Sequence, residues 1–139
     1  MGGSGFEDVL AANEAYARDF ALGGLSGRAG RGLAVLTCMD SRIEPLTMLG
    51  LVPGDAKILR NAGARVDAGV VAALALAMGR LDVVRAMVVA HTDCAAVTTD
   101  REEILRSDVA RLRLAPELAG LETGGFVYDV ETGVLSRIC

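Results

Sequence analysis

Residues 6–22 place Phe6, Val9, Leu10, Ala17, Phe20 and Ala21 at close to a helical period, with Glu7 and Asp8 in the first turn. The pattern predicts a helix. The stretch that follows, GGLSGRAGRG at 23–32, is glycine-rich and predicts a flexible linker. It follows a helix, whereas a phosphate-cradling loop follows a strand and opens a helix, so it is not read as one. A short continuous apolar run at 33–37 predicts a buried strand of a parallel sheet, Ala56 to Leu59 a second short strand, and RAMVVA at 85–90 a third, buried one. Pro45 opens a short helix that stops at Gly50, and VPGD at 52–55 is a turn. Residues 67–80 predict an alanine-rich helix, apolar on nearly every side and therefore well buried. Residues 96–114 predict a helix whose wet face carries Glu102, Glu103, Arg106, Arg111 and Arg113 and which Pro116 ends. FVYDV, ETG and VLSRI close the chain as a hairpin turning at Gly133.

Strand and helix alternate, which predicts an α/β fold: a short, mainly parallel central sheet flanked by helices on both faces, with antiparallel material from the C-terminal hairpin. One domain is expected over 1–139, made of the helix at 1–22, the linker at 23–32 and an α/β core at 33–139. At 139 residues, 52% hydrophobic and 23% charged, the chain suits one globular domain and not a disordered segment. A net charge of −4 argues against a nucleic-acid partner. No apolar run approaches the roughly 20 residues needed to cross a bilayer. Glu7 and Asp8 stand where a signal peptide would carry its apolar region. The expected location is cytoplasmic, where cysteines more often bind metal or react than pair.

Two clusters stand apart from this pattern, Cys38-Met39-Asp40-Ser41-Arg42 and His91-Thr92-Asp93-Cys94. Both fall at the carboxyl ends of predicted strands, where sites form in open α/β sheets. If the two strands are neighbours, Cys38, His91 and Cys94 converge. Two thiolates and one imidazole suit zinc and leave a fourth position open, or weakly closed by Asp40. His91 is the single histidine, and Cys139 is far from both clusters in sequence.

Cys-x-Asp-x-Arg, followed by RNAG at 60–63 and then by His-x-x-Cys, resembles the β-class carbonic anhydrases. The likeness spans the N-terminal helix, CMDSR, RNAG, HTDC and the closing hairpin. It implies one Zn2+ per chain held by Cys38, His91 and Cys94, with Asp40 and Arg42 as a catalytic dyad. It implies a homodimer or dimer-based higher oligomer in which the N-terminal helix reaches across to the partner. The reaction implied is reversible hydration of carbon dioxide by zinc-bound hydroxide, with Asp40 accepting its hydrogen bond and Arg42 holding Asp40 ionised. A small apolar substrate pocket is expected near Met39, Val66 and Ala95. Two features depart from the family pattern. Ala95 stands where glycine usually follows the second cysteine, and the stretch from Cys94 to the hairpin is short, as in the compact subgroup. A carbonyl sulfide or carbon disulfide hydrolase of the same fold is the first alternative, and a catalytically inactive zinc-binding homologue the second.

Overall fold

Strand β1 (Leu33–Cys38) is buried at every position and is an interior strand of the sheet. In the computed structural model, which describes residues 5–139, it is preceded by helix α1 (Glu7–Arg18). It is followed by α2 (Pro45–Met48), β2 (Ala56–Asn61), α3 (Ala68–Arg80) and β3 (Arg85–His91). Then come α4 (Arg101–Leu114), a 3-10 turn at Pro116–Leu118, β4 (Glu122–Tyr128) and β5 (Leu135–Arg137). Residues 1–4 of the expected N-terminal segment lie outside the described residues.

The five strands lie in the order β2-β1-β3-β4-β5. β1 pairs in parallel with β2 on one side and β3 on the other, β3 pairs in parallel with β4, and β5 is antiparallel to β4. The chain steps one way from β1 to β2 and the other way from β2 to β3 and from β3 to β4. Right-handed crossovers therefore put α2 on one face and both long helices on the other. The packing agrees. Val71 and Leu74 of α3 and Leu105, Val109 and Leu112 of α4 share one core with Ala34, Leu36, Ala86 and Val88. Leu46 and Met48 of α2 pack over Leu33, Val35 and Val89 on the opposite face. This is the expected α/β class, a mostly parallel sheet flanked by helices.

The structure revises several elements. The helix expected at 96–114 begins only at Arg101, because Asp100 takes a left-handed φ of 55° and residues 92–100 form an irregular loop. β4 begins at Glu122, well before the expected 126, and its pairing with β3 is parallel, so the hairpin's first arm completes the parallel sheet. Gly124 and Gly125 hid that start, since glycine weakens a strand pattern. Both are required by crowding. A Cβ on Gly125 would lie 2.6 Å from Cys139 Sγ and 2.9 Å from Val109 Cγ2.

α3 buries Val70, Val71, Leu74 and Ala77, yet Leu76 is exposed, so one face is covered rather than all. α1 stops at Arg18, four residues short of the expected 22, and none of its residues is buried. The 23–32 segment is anchored in its second half. Ala29 is buried, and the N–H groups of Ala29, Gly30 and Arg31 donate to Leu81 O, Gly54 O and Asp55 O. N–H donation to two separate loops, at Leu81 and at Gly54–Asp55, holds a segment that its glycines suggested was loose.

Candidate metal centre

β1 and β3 are neighbours whose onward connections leave in opposite directions, so their carboxyl ends border a crevice at a topological switch point. Cys38 is the last residue of β1 and His91 the last of β3. Cys94 returns from the loop after β3. The three are buried, and their Sγ and ring-nitrogen atoms lie within 4.8 Å of one another. The two sulfurs are 4.0 Å apart. Tetrahedral ligation with Zn–S bonds near 2.3 Å requires sulfurs about 3.8 Å apart, so the pair needs only slight closure.

His91 shows which of its nitrogens is available. Its Nδ1 lies 2.6 Å from the carbonyl oxygen of Thr92. A carbonyl can only accept, so Nδ1 carries the proton and Nε2 carries the lone pair in the neutral ring. Nε2 is buried and has no hydrogen-bond partner. An orphaned acceptor beside two sulfurs is costly unless something coordinates it. The donor set thus fits a soft, four-coordinate cation, with the Thr92 carbonyl orienting the imidazole. Thr92 is itself held, its N–H donating to Tyr128 O and its hydroxyl accepting from Val130 N.

The 60–66 segment braces the first cysteine. The N–H of Gly63 donates to Cys38 Sγ at 3.3 Å. Arg60 donates through Nε to Cys38 O and through Nη2 to Asp40 O. Asn61 closes the loop on itself, accepting from Arg65 N and donating to Arg65 O. Buried Asp108 of α4 accepts from Arg65 Nε at 2.7 Å and from Val66 N. The sequence flagged RNAG, but nothing in it revealed that Gly63 addresses the sulfur.

Asp40 Oδ2 lies 3.9 Å from His91 Nε2. Arg42 grips the Asp40 carboxylate with one edge of its guanidinium, Nε to Oδ1 at 3.0 Å and Nη2 to Oδ2 at 2.7 Å, while its main-chain N–H also donates to Oδ1. The Arg42 side chain, and after it that backbone donor, hold the Asp40 carboxyl well below the usual carboxylate range. Hydrogen bonding to Asp40, and then to Asp93, raises the Arg42 guanidinium further above its already high value.

A cavity of about 580 Å³ opens here, lined by Cys38, Met39, Asp40, Ser41, Arg42, Ala62, Ala95 and Ala96. Met39 and Ala95 are among its lining residues, and Val66 is not. It is buried in the core beneath α4, with its carbonyl accepting from Arg111 Nη1, and Ala62 and Ala96 line the cavity in its place. Asp108 over Val66 explains the difference, because its bond to Val66 N turns that residue toward the helix.

The carbonic anhydrase family profile matches residues 33–114. Beta-carbonic anhydrase 1 of Mycobacterium tuberculosis is 29% identical over 95% of this chain and 96% of its own length. The carbon disulfide hydrolase of an Acidianus strain is 36% identical over 58% of this chain and 40% of its own. Among solved structures, carbonic anhydrase from Streptococcus mutans superposes with a TM-score of 0.93 at 32% identity, covering 100% of both chains. The chain belongs to the carbonic anhydrase family, in its β class, a family of carbonate dehydratases.

Proposed function

We propose that the protein is a zinc-dependent enzyme for the reversible hydration of carbon dioxide to bicarbonate and a proton. The observation that carries this is the buried, unpartnered Nε2 of His91 facing two cysteine sulfurs beside an Arg-held carboxylate. Cys38, His91 and Cys94 would hold one Zn2+ per chain. The chemistry zinc supplies when bound is acidification of a water molecule to a nucleophile near neutral pH.

The chain's own residues do the rest. Asp40, kept ionised by Arg42, accepts a hydrogen bond from the nucleophile and so aims its lone pair at the carbon. Arg42 restrains Asp40 from turning onto the metal position. Ala62, Ala95, Ala96 and Met39 give the cavity apolar walls, which suit a small linear substrate without charge. His91 faces the metal position, and with no second histidine in the chain the released proton passes to water, carboxylates or buffer.

A second reading is hydrolysis of carbon disulfide or carbonyl sulfide at the same site, favoured by the likeness to the Acidianus enzyme and by Ala95 on the cavity wall. Metal analysis with rapid assays on carbon dioxide and carbon disulfide in parallel separates the two. One zinc per chain with fast hydration of carbon dioxide supports the first reading. Faster turnover of carbon disulfide replaces it with the second. Full zinc with neither activity leaves only a zinc-binding homologue.

The functional unit in this reading is a homodimer, alone or within a larger assembly. α1 buries none of its residues and exposes Val9, Leu10 and Tyr16, a face that crossing to a partner subunit would cover. Tetrameric β-carbonic anhydrases from Sordaria macrospora share the fold with a TM-score of 0.75. A cytoplasmic location goes with this reading, since Cys38 and Cys94 are useful as ligands only while reduced. Among the described residues no helix is long and apolar enough to cross a membrane.

A further inference from the structure

We propose that Asp93 is a positioning residue that, acting through Arg42, keeps Asp40 off the metal position. The inference rests on the reading of the site given above. Arg42 offers five N–H donors in a fixed plane. Asp40 takes one from Nε and one from Nη2. Asp93 takes the outer edge: its main-chain carbonyl accepts from Nη2 at 3.0 Å and its carboxylate Oδ2 accepts from Nη1 at 3.1 Å. A guanidinium held only by Asp40 could swing together with it. One held on its far edge by a second residue gives Asp40 a fixed plane to lie against.

The backbone of Asp93 is shaped for this. Its φ is 52°, in the left-handed region, which asparagine, aspartate and glycine tolerate better than other residues. In that turn its carbonyl and its carboxylate both reach one guanidinium. Asp93 also sits between two candidate metal ligands, His91 and Cys94, in the loop after β3, while Arg42 and Asp40 belong to the loop after β1. The contact therefore ties together the two loops that build the site. The side chain of Asp93 is 82% exposed and that of Arg42 is 44% exposed. Exposed ion pairs contribute little to stability, so removing this one tests position rather than folding.

Two variants divide the roles. Asp93→Gly keeps the left-handed turn and the carbonyl but removes the carboxylate. Asp93→Asn keeps the turn, the carbonyl and a side-chain acceptor oxygen. The zinc-loaded wild type and both variants are compared for kcat/KM on carbon dioxide and for the rate of zinc release to a chelator. In Asp93→Gly, kcat/KM falls about tenfold, as a misplaced catalytic group requires. Zinc release slows several-fold, because Asp40 now reaches the metal as a further ligand. Asp93→Asn recovers most of both changes. Zinc release from Asp93→Gly as fast as from wild type overturns the proposal, whatever the hydration rate. Equal losses in both variants overturn it as well. A wild type that holds zinc but does not hydrate carbon dioxide refutes the functional reading instead, and the zinc-release comparison still decides the role of Asp93.

Discussion

The main-chain N–H of Gly63 points at the Sγ of Cys38 from 3.3 Å. A donor aimed at a sulfur that serves as a metal ligand fixes its orientation, as supporting hydrogen bonds around metal sites do. The same glycine has a φ of 89°, and a Cβ there would lie 2.9 Å from Val97 Cγ2. Gly63→Ala is therefore expected to cost about 1–3 kcal/mol of stability and to weaken zinc binding. Thermal unfolding and competition with a chelator measure the two effects. A variant that matches wild type in both would show that the loop is more tolerant than its geometry implies.

Cys94→Ser exchanges a soft ligand for a hydroxyl that stays protonated near neutral pH. Zinc affinity is expected to drop by at least about a hundredfold, beyond what loss of a supporting hydrogen bond costs. The far-ultraviolet circular dichroism stays near wild type, because the sheet does not depend on that sulfur. Retention of a full equivalent of zinc after dialysis would remove Cys94 from the ligand set.

Arg42→Ala removes the fork that orients Asp40. The expected outcome is a fall in kcat/KM on the order of a hundredfold with zinc content close to that of wild type. Loss of the metal in this variant would show that Arg42 supports the centre itself rather than the carboxylate beside it.

The bond to Arg42 gives Asp40 a folded-state pKa below its unfolded one. A depressed carboxyl stabilises the fold above the unfolded value, and that contribution is lost as pH falls toward the folded one. The stability gap between wild type and Asp40→Asn is therefore constant above about pH 4 and narrows as the solution is made more acidic. Denaturant titrations at a series of pH values measure it. A gap that widens below pH 4 contradicts the assignment.

Hydration of carbon dioxide is expected to speed up as imidazole buffer is added, until another step limits turnover. His91 is the single histidine in the chain and its Nδ1 is engaged with Thr92 O, so it offers no relay. Stopped-flow rates at fixed pH and ionic strength test this, and rates indifferent to buffer would reveal an internal route.

Much of this could be read before any coordinates, because it rests on local rules. The apolar runs of β1 and β3 marked buried strands, and the chemistry of CMDSR and HTDC fell at their ends because parallel strands all finish on one edge of the sheet, where the loops that follow them gather. The beginning of β4 was hidden by Gly124 and Gly125, whose reason is one of packing, the Phe126 ring beside the first and the approach of Cys139 and Val109 to the second. Thr98, Thr99 and Asp100 fit a helical reading, but the left-handed turn at Asp100 delays α4 until Arg101. Val66 was expected near the pocket, and the bond from its N–H to Asp108, 42 residues further along the chain, is a tertiary contact that the local sequence does not show. The partners of Asp93 and Gly63 were equally out of reach, since each joins loops that only the sheet brings together.

β1 and β3 stand side by side yet send the chain away to opposite flanks, so the loops beyond them share little backbone support. A cation held between Cys38 and the His91–Cys94 turn would act as a rivet across that fork. Stripping it should leave the sheet's ladder intact while loosening the turns above it. Amide hydrogens at 39–43 and 92–96 should then exchange with solvent far sooner than those at 34–37 and 86–89.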